Sequence, residues 1–283
     1  MNLKRKSVSQ YINQDSYTSK HFGHKDHIKS SFSYSNLILS IIMPLFNEQN
    51  SIKHVIEKIP KNCNHEILIV DDGSTDNSIE EIKKINGKFI KIIKHGKNRG
   101  YGAALLTGFK HSNGDIIVTL DSDGQHCPEE IPRLLKPIIN KKADLAIGSR
   151  YLGKIHYPVP LHIKFGEYFI RKFLKLLYNK EIANNQSGFR AFHRSLLTHF
   201  KGFYDCEMAF STELLLKTLE LNKKIIEIPI SLKPRKYGKS YVKLVKILIN
   251  ILKCFFIYGL RKNRILKKFS DKYLDFLLKN KNI

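Results

Sequence analysis

The chain has 283 residues, 42% of them hydrophobic, and a formal net charge of +24. That length suits one large α/β domain, or a domain with an appended module, and the apolar fraction is sufficient to build a core. The four cysteines (Cys63, Cys127, Cys206, Cys254) are scattered with no Cys-x-x-Cys, which excludes a disulfide framework and leads us to expect free thiols in a reducing, cytoplasmic compartment.

Residues 1–36 are polar and basic with little apolar periodicity, so a loosely attached tail is expected. No apolar run precedes Leu37, and no signal peptide is expected. His21, His24 and His27 stand three apart in this tail, but a polar segment offers no surroundings to fix the rings on a metal.

From Leu37 onward apolar strands alternate with amphipathic helices. Strands are expected at 37–43, 66–70, 89–94, 116–120 and 143–147. Helices are expected at 49–59, 76–85, 101–112 and 128–140, with Asp76 as an N-cap and Pro128 in a first turn. Such βα alternation predicts a parallel sheet with helices on both faces. Past residue 150 the pattern gives helices at 161–178 and 208–221, a short strand through 187–192 and a late strand at 224–230. A final amphipathic helix spans 240–260, its Lys243, Lys246, Asn250 and Lys253 on one face.

Chemistry concentrates at strand ends. The fourth strand runs into Asp121 and Asp123, which alternation points the same way. With Gln125 they offer hard oxygen ligands suited to Mg²⁺ or Mn²⁺. The second strand ends in Asp71, Asp72, Gly73, Ser74, Thr75 and Asp76. Acids at the carboxyl ends of two strands match the place where open α/β sheets bind ligands. The plainer reading makes Asp71, Asp72 and Asp76 turn and cap residues.

The positive charge is not spread evenly. Twelve lysines and arginines and no acid lie between Ile228 and Ser270. Such an excess calls for a polyanionic partner: nucleic acid, an anionic membrane face or a phosphorylated substrate.

Four pieces now stand in order: Pro44 to Glu48 with Asn47, Val70 to Asp76, Asn98-Arg99-Gly100-Tyr101-Gly102, and Asp121 to Gln125. Together they closely resemble the GT-A glycosyltransferases of family 2, over about residues 38–235. The later pieces (Gln186 to Phe192, Phe210 to Leu215 with Glu213, Ile228 to Ile230, Arg235 to Ser240) look like the dolichyl-phosphate mannose synthase group. That group moves a hexose from a nucleotide diphosphate sugar to a polyprenyl phosphate. The Gln-x-x-Arg-Trp element of processive relatives is missing, since the chain has no Trp.

The resemblance implies a GT-A, Rossmann-like domain over 37–238, a mostly parallel sheet with helices on both faces. The residues after it read as a basic amphipathic helical extension over 239–283, which either packs on the domain or, the reading we favour, contacts an anionic membrane surface. It implies that Pro44, Asn47 and Glu48 border the nucleoside, that Asp71 or Asp72 holds base or ribose, and that Arg99 and Gly100 lie along the nucleotide. Asp121 would face ribose or metal, with Asp123 and Gln125 on the cation. Arg190, Arg235 and Lys239 would hold the acceptor phosphate, making Asp123, Arg190 and Arg235 the catalytic set. The donor would be GDP-mannose or a UDP-hexose. Two departures stand out: Asn184-Asn185 where relatives commonly carry Asp, and Ser211 where many have an acid.

Two rivals remain. A sugar-hydroxyl acceptor would require a carboxylate base, for which Glu207 or Glu213 are the candidates. A nucleic-acid-binding protein would explain the charge but not the acidic strand ends, so no nucleic-acid partner is expected.

Overall fold

The structure, a computed structural model, describes residues 37–279 except 62–63, 86, 88, 156–160, 201, 204–206, 239–243 and 262–263. The expected tail and Lys239 lie outside the described residues.

Three strands form the middle of the architecture: β1 (Leu39–Leu45), β2 (His65–Asp71) and β4 (Ile116–Thr119). Each is an almost unbroken apolar run, as expected of strands covered on both faces. Alternation sorts their side chains. Ile41, Met43, Ile67, Ile69, Ile116 and Val118 enter one core, while Ile42, Leu68 and Ile117 enter the other.

Four further strands, β3 (Ile90–Lys94), β5 (Leu145–Ile155), β6 (Arg190–His193) and β7 (Ile225–Leu232), complete a seven-stranded sheet in the order β3-β2-β1-β4-β6-β5-β7. On one face lie α1 (Ile52–Glu57), α2 (Ser78–Lys83) and α4 (Ile131–Ile139). On the other lie α3 (Tyr101–His111), α5 (Leu161–Tyr178), α6 (Phe210–Glu220), α7 (Leu244–Leu260) and α8 (Arg264–Lys279). This is the GT-A arrangement.

Three features add detail to the mostly parallel sheet and helical extension that were expected. β6 runs antiparallel to both neighbours, β4 and β5, so the sheet is mixed. Because β6 enters from the carboxyl end of β4, the turn that leads into it faces the site. β5 does not stop at 147 but continues past an irregularity between Ser149 and Lys154 to pair with β7 again. Finally, the helical extension consists of two helices, α7 and α8.

α7 is built into the core. Its Ile251, Cys254, Phe255, Ile257 and Tyr258 are buried with residues of α5 and α6. Polar bonds fix it in place. The Tyr258 hydroxyl donates to Glu213 Oε1 at 2.6 Å, and Lys217 Nζ stands 3.8 Å from the same oxygen beneath the Phe200, Phe203 and Tyr258 rings. Arg261 bridges Glu220 and Asp271, tying α6 to α8. Removing one donor from a fully buried carboxyl costs about 1.5–3 kcal/mol. Tyr258→Phe is therefore expected to lower the unfolding free energy measured by chemical denaturation by that amount without changing the secondary structure.

Candidate active site

The end of β4 delivers Asp121 into a ring of donors. Tyr101, at the head of α3, donates its hydroxyl to Asp121 Oδ1 at 3.0 Å, and His126 Nδ1 stands 3.3 Å from Oδ2. Burial works to raise the Asp121 carboxyl, but His126 and Tyr101 outweigh it and hold the group below its ordinary value. Asp123 is pushed the other way, by burial and then by the charge on Asp121. Its Oδ1 accepts the Gln125 amide at 3.0 Å, and Arg235 Nη1 lies 3.5 Å from its Oδ2. Arg235 also pairs with Glu48 and donates from Nε to the Tyr237 carbonyl at 2.9 Å. Gln125 holds the same loop through Nε2 to the Lys233 carbonyl at 3.2 Å. The fold thus brings together Asp121, Asp123, Gln125, Glu48 and Arg235.

Two half-buried carboxylates that repel each other call for positive charge, and their hard oxygens with the Gln125 amide suit a divalent cation. Among the described residues no cluster of three or more His, Cys, Asp or Glu is arranged to hold a metal. The phosphates of a nucleotide would have to supply the rest of the coordination.

The loops after β1 and β2 carry the residues expected to border a nucleotide. Asn47, at φ 54°, accepts the Thr75 amide on Oδ1 at 2.8 Å and donates its own amide to Ser74 Oγ at 3.1 Å. The Pro44 carbonyl accepts Ser122 Oγ at 2.8 Å. Asp71 Oδ1 accepts the Ser74 amide at 2.9 Å. Gly73, at φ 82°, lies against the Asn98 backbone so closely that a Cβ would come 2.8 Å from its nitrogen. Asp72 takes a different post from the one expected. Its two oxygens accept the Arg99 and Gly100 amides at 2.9 and 2.8 Å, and Oδ1 also meets His95 Nδ1 at 2.7 Å. It is a buried brace for the loop that carries Arg99. Asp76 is not the N-cap that was expected: Asn77 holds that position, and Asp76, one residue earlier, accepts from Ser78 and from the Gln49 amide.

Arg190 also departs from expectation. It is 2% exposed, and its guanidinium donates to three backbone carbonyls: Ser187 at 2.8 Å, Ser211 at 2.7 Å, and Asn185. Such a side chain shapes the turn before β6 and does not present itself to an acceptor phosphate. Burial pulls its pKa down to about 10, while Tyr101 and Asp121 work in the opposite direction.

Arg150 is the cation the sequence reading passed over. It follows the buried part of β5, pairs through Nη2 with Glu167 at 2.6 Å, and leaves Nε buried without a hydrogen-bond partner. Its charge reaches His126. A basic residue just beyond an apolar strand, as in Ser149-Arg150-Tyr151, is the signal that could have found it.

The two carboxylates considered as bases are engaged elsewhere. Glu213 holds Tyr258, and Glu207 pairs with Lys246 at 2.5 Å. The Asn184 departure has a local cause: its Nδ2 donates to the Gly148 carbonyl at 3.3 Å, which an ionised aspartate could not do. At Ser211 the main chain matters, since its carbonyl accepts Arg190.

Residues 40–200 match the model of the family described as glycosyl transferase family 2. The chain belongs to that family. Among curated relatives, this family 2 glycosyltransferase is 33% identical over 178 residues to a UDP-N-acetylglucosamine–dolichyl-phosphate N-acetylglucosaminyltransferase of Methanococcus voltae, covering 56% of this chain and 71% of the relative. It is 32% identical over 216 residues to a dolichol-phosphate mannosyltransferase of Pyrococcus furiosus, covering 72% of this chain and 59% of that protein. Among solved structures, a glucosyl-3-phosphoglycerate synthase from Mycobacterium tuberculosis, in complex with Mn²⁺, UDP and phosphoglyceric acid, superposes with a TM-score of 0.65 at 20% identity, covering 79% of each chain. That likeness establishes the shared fold.

Proposed function

We propose that this glycosyltransferase moves a hexose from a nucleotide diphosphate sugar to a polyprenyl phosphate. The observation that carries the reading is the pairing of a carboxylate site (Asp121, Asp123, Gln125) with guanidinium groups (Arg235 beside Asp123, and Arg150 in β5) at the same end of the sheet. The names of the dolichyl-phosphate relatives support the acceptor class, and the Mn²⁺ and UDP of the structural neighbour support the donor class.

Asp121, Asp123 and Gln125 would hold Mg²⁺ or Mn²⁺, which when bound supplies Lewis-acid neutralisation of charge growing on the leaving diphosphate. Asp71, Asn47 and Pro44 would border the nucleoside. An acceptor phosphate oxygen attacks the anomeric carbon, and the new C–O bond forms as the bond to the diphosphate breaks. The nucleoside diphosphate leaves with the bonding pair, and configuration inverts. No base is required, because a phosphate monoester, with a second pKa of about 6, is already anionic near neutral pH. Arg235, Arg150 and Lys239 would orient that anion against the repulsion of the donor, the task planar guanidinium groups perform best.

The acceptor class calls for contact with a membrane, and the surface of α5 and α7 suits one. Phe169, Phe173 and Leu176 on α5 and Leu248, Leu252 and Phe256 on α7 are exposed, and the Phe173 and Phe255 rings stack at 5.4 Å where the helices meet. Exposed Lys172, Lys175 and Lys253 lie on the same two helices. Among the described residues no helix is long and apolar enough to cross a bilayer. An apolar face with a lysine rim matches the headgroup layer of an anionic membrane. Phe256→Glu with Leu252→Glu is expected to abolish co-sedimentation with phosphatidylglycerol vesicles; undiminished sedimentation would refute this face.

The reaction is tested by offering radiolabelled GDP-mannose, UDP-glucose and UDP-N-acetylglucosamine with a polyprenyl phosphate, with and without Mg²⁺ or Mn²⁺. Label entering the lipid phase from one donor, and only with metal, is the expected result. Metal-dependent hydrolysis of the donor without lipid labelling would discard the acceptor.

A further inference from the structure

His95 enters the site described above only as a contact of Asp72, yet it is buried and both its ring nitrogens are engaged. It sits just beyond β3, with Nδ1 2.7 Å from Asp72 Oδ1 and Nε2 2.9 Å from Thr107 Oγ1, within α3. Its backbone amide donates to the Asp71 carbonyl at 2.8 Å. One side chain therefore spans the end of β2, the end of β3 and the second turn of α3.

What hangs on Asp72 gives this span its meaning. The Asp72 carboxylate accepts the Arg99 and Gly100 amides, the last two residues before α3. Gly100, at φ 99°, hands the chain directly to Tyr101, whose hydroxyl donates to Asp121. The contacts form one chain: Thr107, His95, Asp72, Gly100, Tyr101, Asp121. A carboxylate accepting from two amides and an imidazole is fixed in rotation, and the helix that starts on those amides is fixed with it. An Asp72 without the ring would keep both amides but gain freedom to turn about its own side-chain bond.

We infer that His95 is a positioning residue for nucleotide binding: through Asp72 it sets the start of α3, and so the placing of Arg99 and of the Tyr101 hydroxyl on Asp121. The inference rests on the proposed nucleotide site. It assigns the work to the Asp72 end of the ring, with Thr107 serving to orient the imidazole.

The geometry separates two near-conservative replacements. The amide nitrogen of an asparagine falls near the position of Nδ1, and that of a glutamine near Nε2. His95→Asn keeps a donor for Asp72, whereas His95→Gln keeps only the Thr107 end. Calorimetric titration of the full chain with UDP and with GDP, each at saturating MnCl₂, gives the affinities, and thermal midpoints without nucleotide report the stability of each variant. A hydrogen bond to a charged group is worth about tenfold in affinity. His95→Gln is expected to weaken the nucleotide that binds by about tenfold, and His95→Asn to stay within about threefold of the wild type. Both variants are expected to lose thermal stability to a similar degree.

An affinity of His95→Gln equal to wild type overturns the inference, as does an equal loss in both variants tracking their midpoints, which would make the histidine a structural residue only. If His95→Gln does not fold, the asparagine variant decides alone, and a loss there of about tenfold or more sinks the assignment. A wild-type chain that binds neither nucleotide overturns the nucleotide site and this inference together; binding by the wild type with no effect of the variants removes the inference alone.

Discussion

Asp123→Asn is expected to lower transfer by about 10³-fold while leaving the fold intact. Lewis-acid neutralisation of a leaving diphosphate is worth several kcal/mol, and each 1.36 kcal/mol off the barrier is a factor of about ten. The amide keeps the size of the carboxylate and one acceptor for the Gln125 amide, so local structure should survive. It loses the charge that attracts a cation and the ion pair with Arg235. Stability should move in the opposite direction to activity, or not at all. The Asp123 carboxyl lies above its ordinary value because burial and the Asp121 charge oppose its ionisation. An acid raised in this way destabilises the folded state once the pH passes its unfolded value, and a neutral amide removes that penalty. A thermal midpoint at or above wild type with transfer near background is the expected pair of results. Turnover within tenfold of wild type would show that the cation, if used, is held elsewhere.

Much of this site was legible because two independent patterns agreed. The apolar runs at β1, β2 and β4 announced strands covered on both faces, and the acids at Asp71 and Asp121 stood where those runs ended. Alternation then placed the side chains, because one register sends Ile116 and Val118 to one core and Ile117 to the other. What sequence could not convey was which polar groups would take up the charge of each acid or base. Asp71 and Asp72 are adjacent and chemically identical, yet only Asp72 faces the amides of residues 99 and 100. Arg190 looks like a phosphate ligand from its neighbours Gly188 and Phe189. Its carbonyl partners come from residues 185, 187 and 211, and no local pattern brings those three together.

The C-terminal extension shows a related limit. A helix apolar on most of its circumference reads either as packed or as lipid-facing, and α7 has a side for each. Ile251, Cys254, Phe255 and Tyr258 are buried in the core, while Leu248, Leu252 and Phe256 remain exposed. Of the polar face expected at Lys243, Lys246, Asn250 and Lys253, Lys243 lies outside the described residues, Lys246 pairs with Glu207, Asn250 is half-buried and Lys253 is exposed. α8 falls within the helical extension expected over 239–283, and among its described residues Ser270 and Leu274 are buried.

Gly188→Ala should impair the enzyme about 10²-fold, the upper range for displacing groups that orient a metal ligand. The reason lies in the antiparallel entry of β6. The register pairs Thr119 with Arg190, and continuing it brings Gly188 opposite Asp121. Thr119 Oγ1 donates to the Gly188 carbonyl at 2.6 Å, which pins the turn against β4. A Cβ at residue 188 would stand 2.7 Å from the Asp121 carboxyl carbon and closer still to both its oxygens. Neither side can yield easily. The turn is held from behind by Arg190 on three carbonyls, so the carboxylate must rotate away from Tyr101 and His126. Displacing groups that orient metal ligands typically costs 10–100-fold in metal affinity or activity. The variant is expected to bind Mn²⁺ more weakly by electron paramagnetic resonance, with circular dichroism unchanged. Arg190→Lys offers the complementary case. A lysine cannot reach three carbonyls at once, so the turn should loosen and thermal stability fall, without the direct clash on Asp121. If Gly188→Ala retains both Mn²⁺ affinity and transfer, then the close packing of this turn on Asp121 does not set the position of the carboxylate, and the brace around Arg190 serves only the fold.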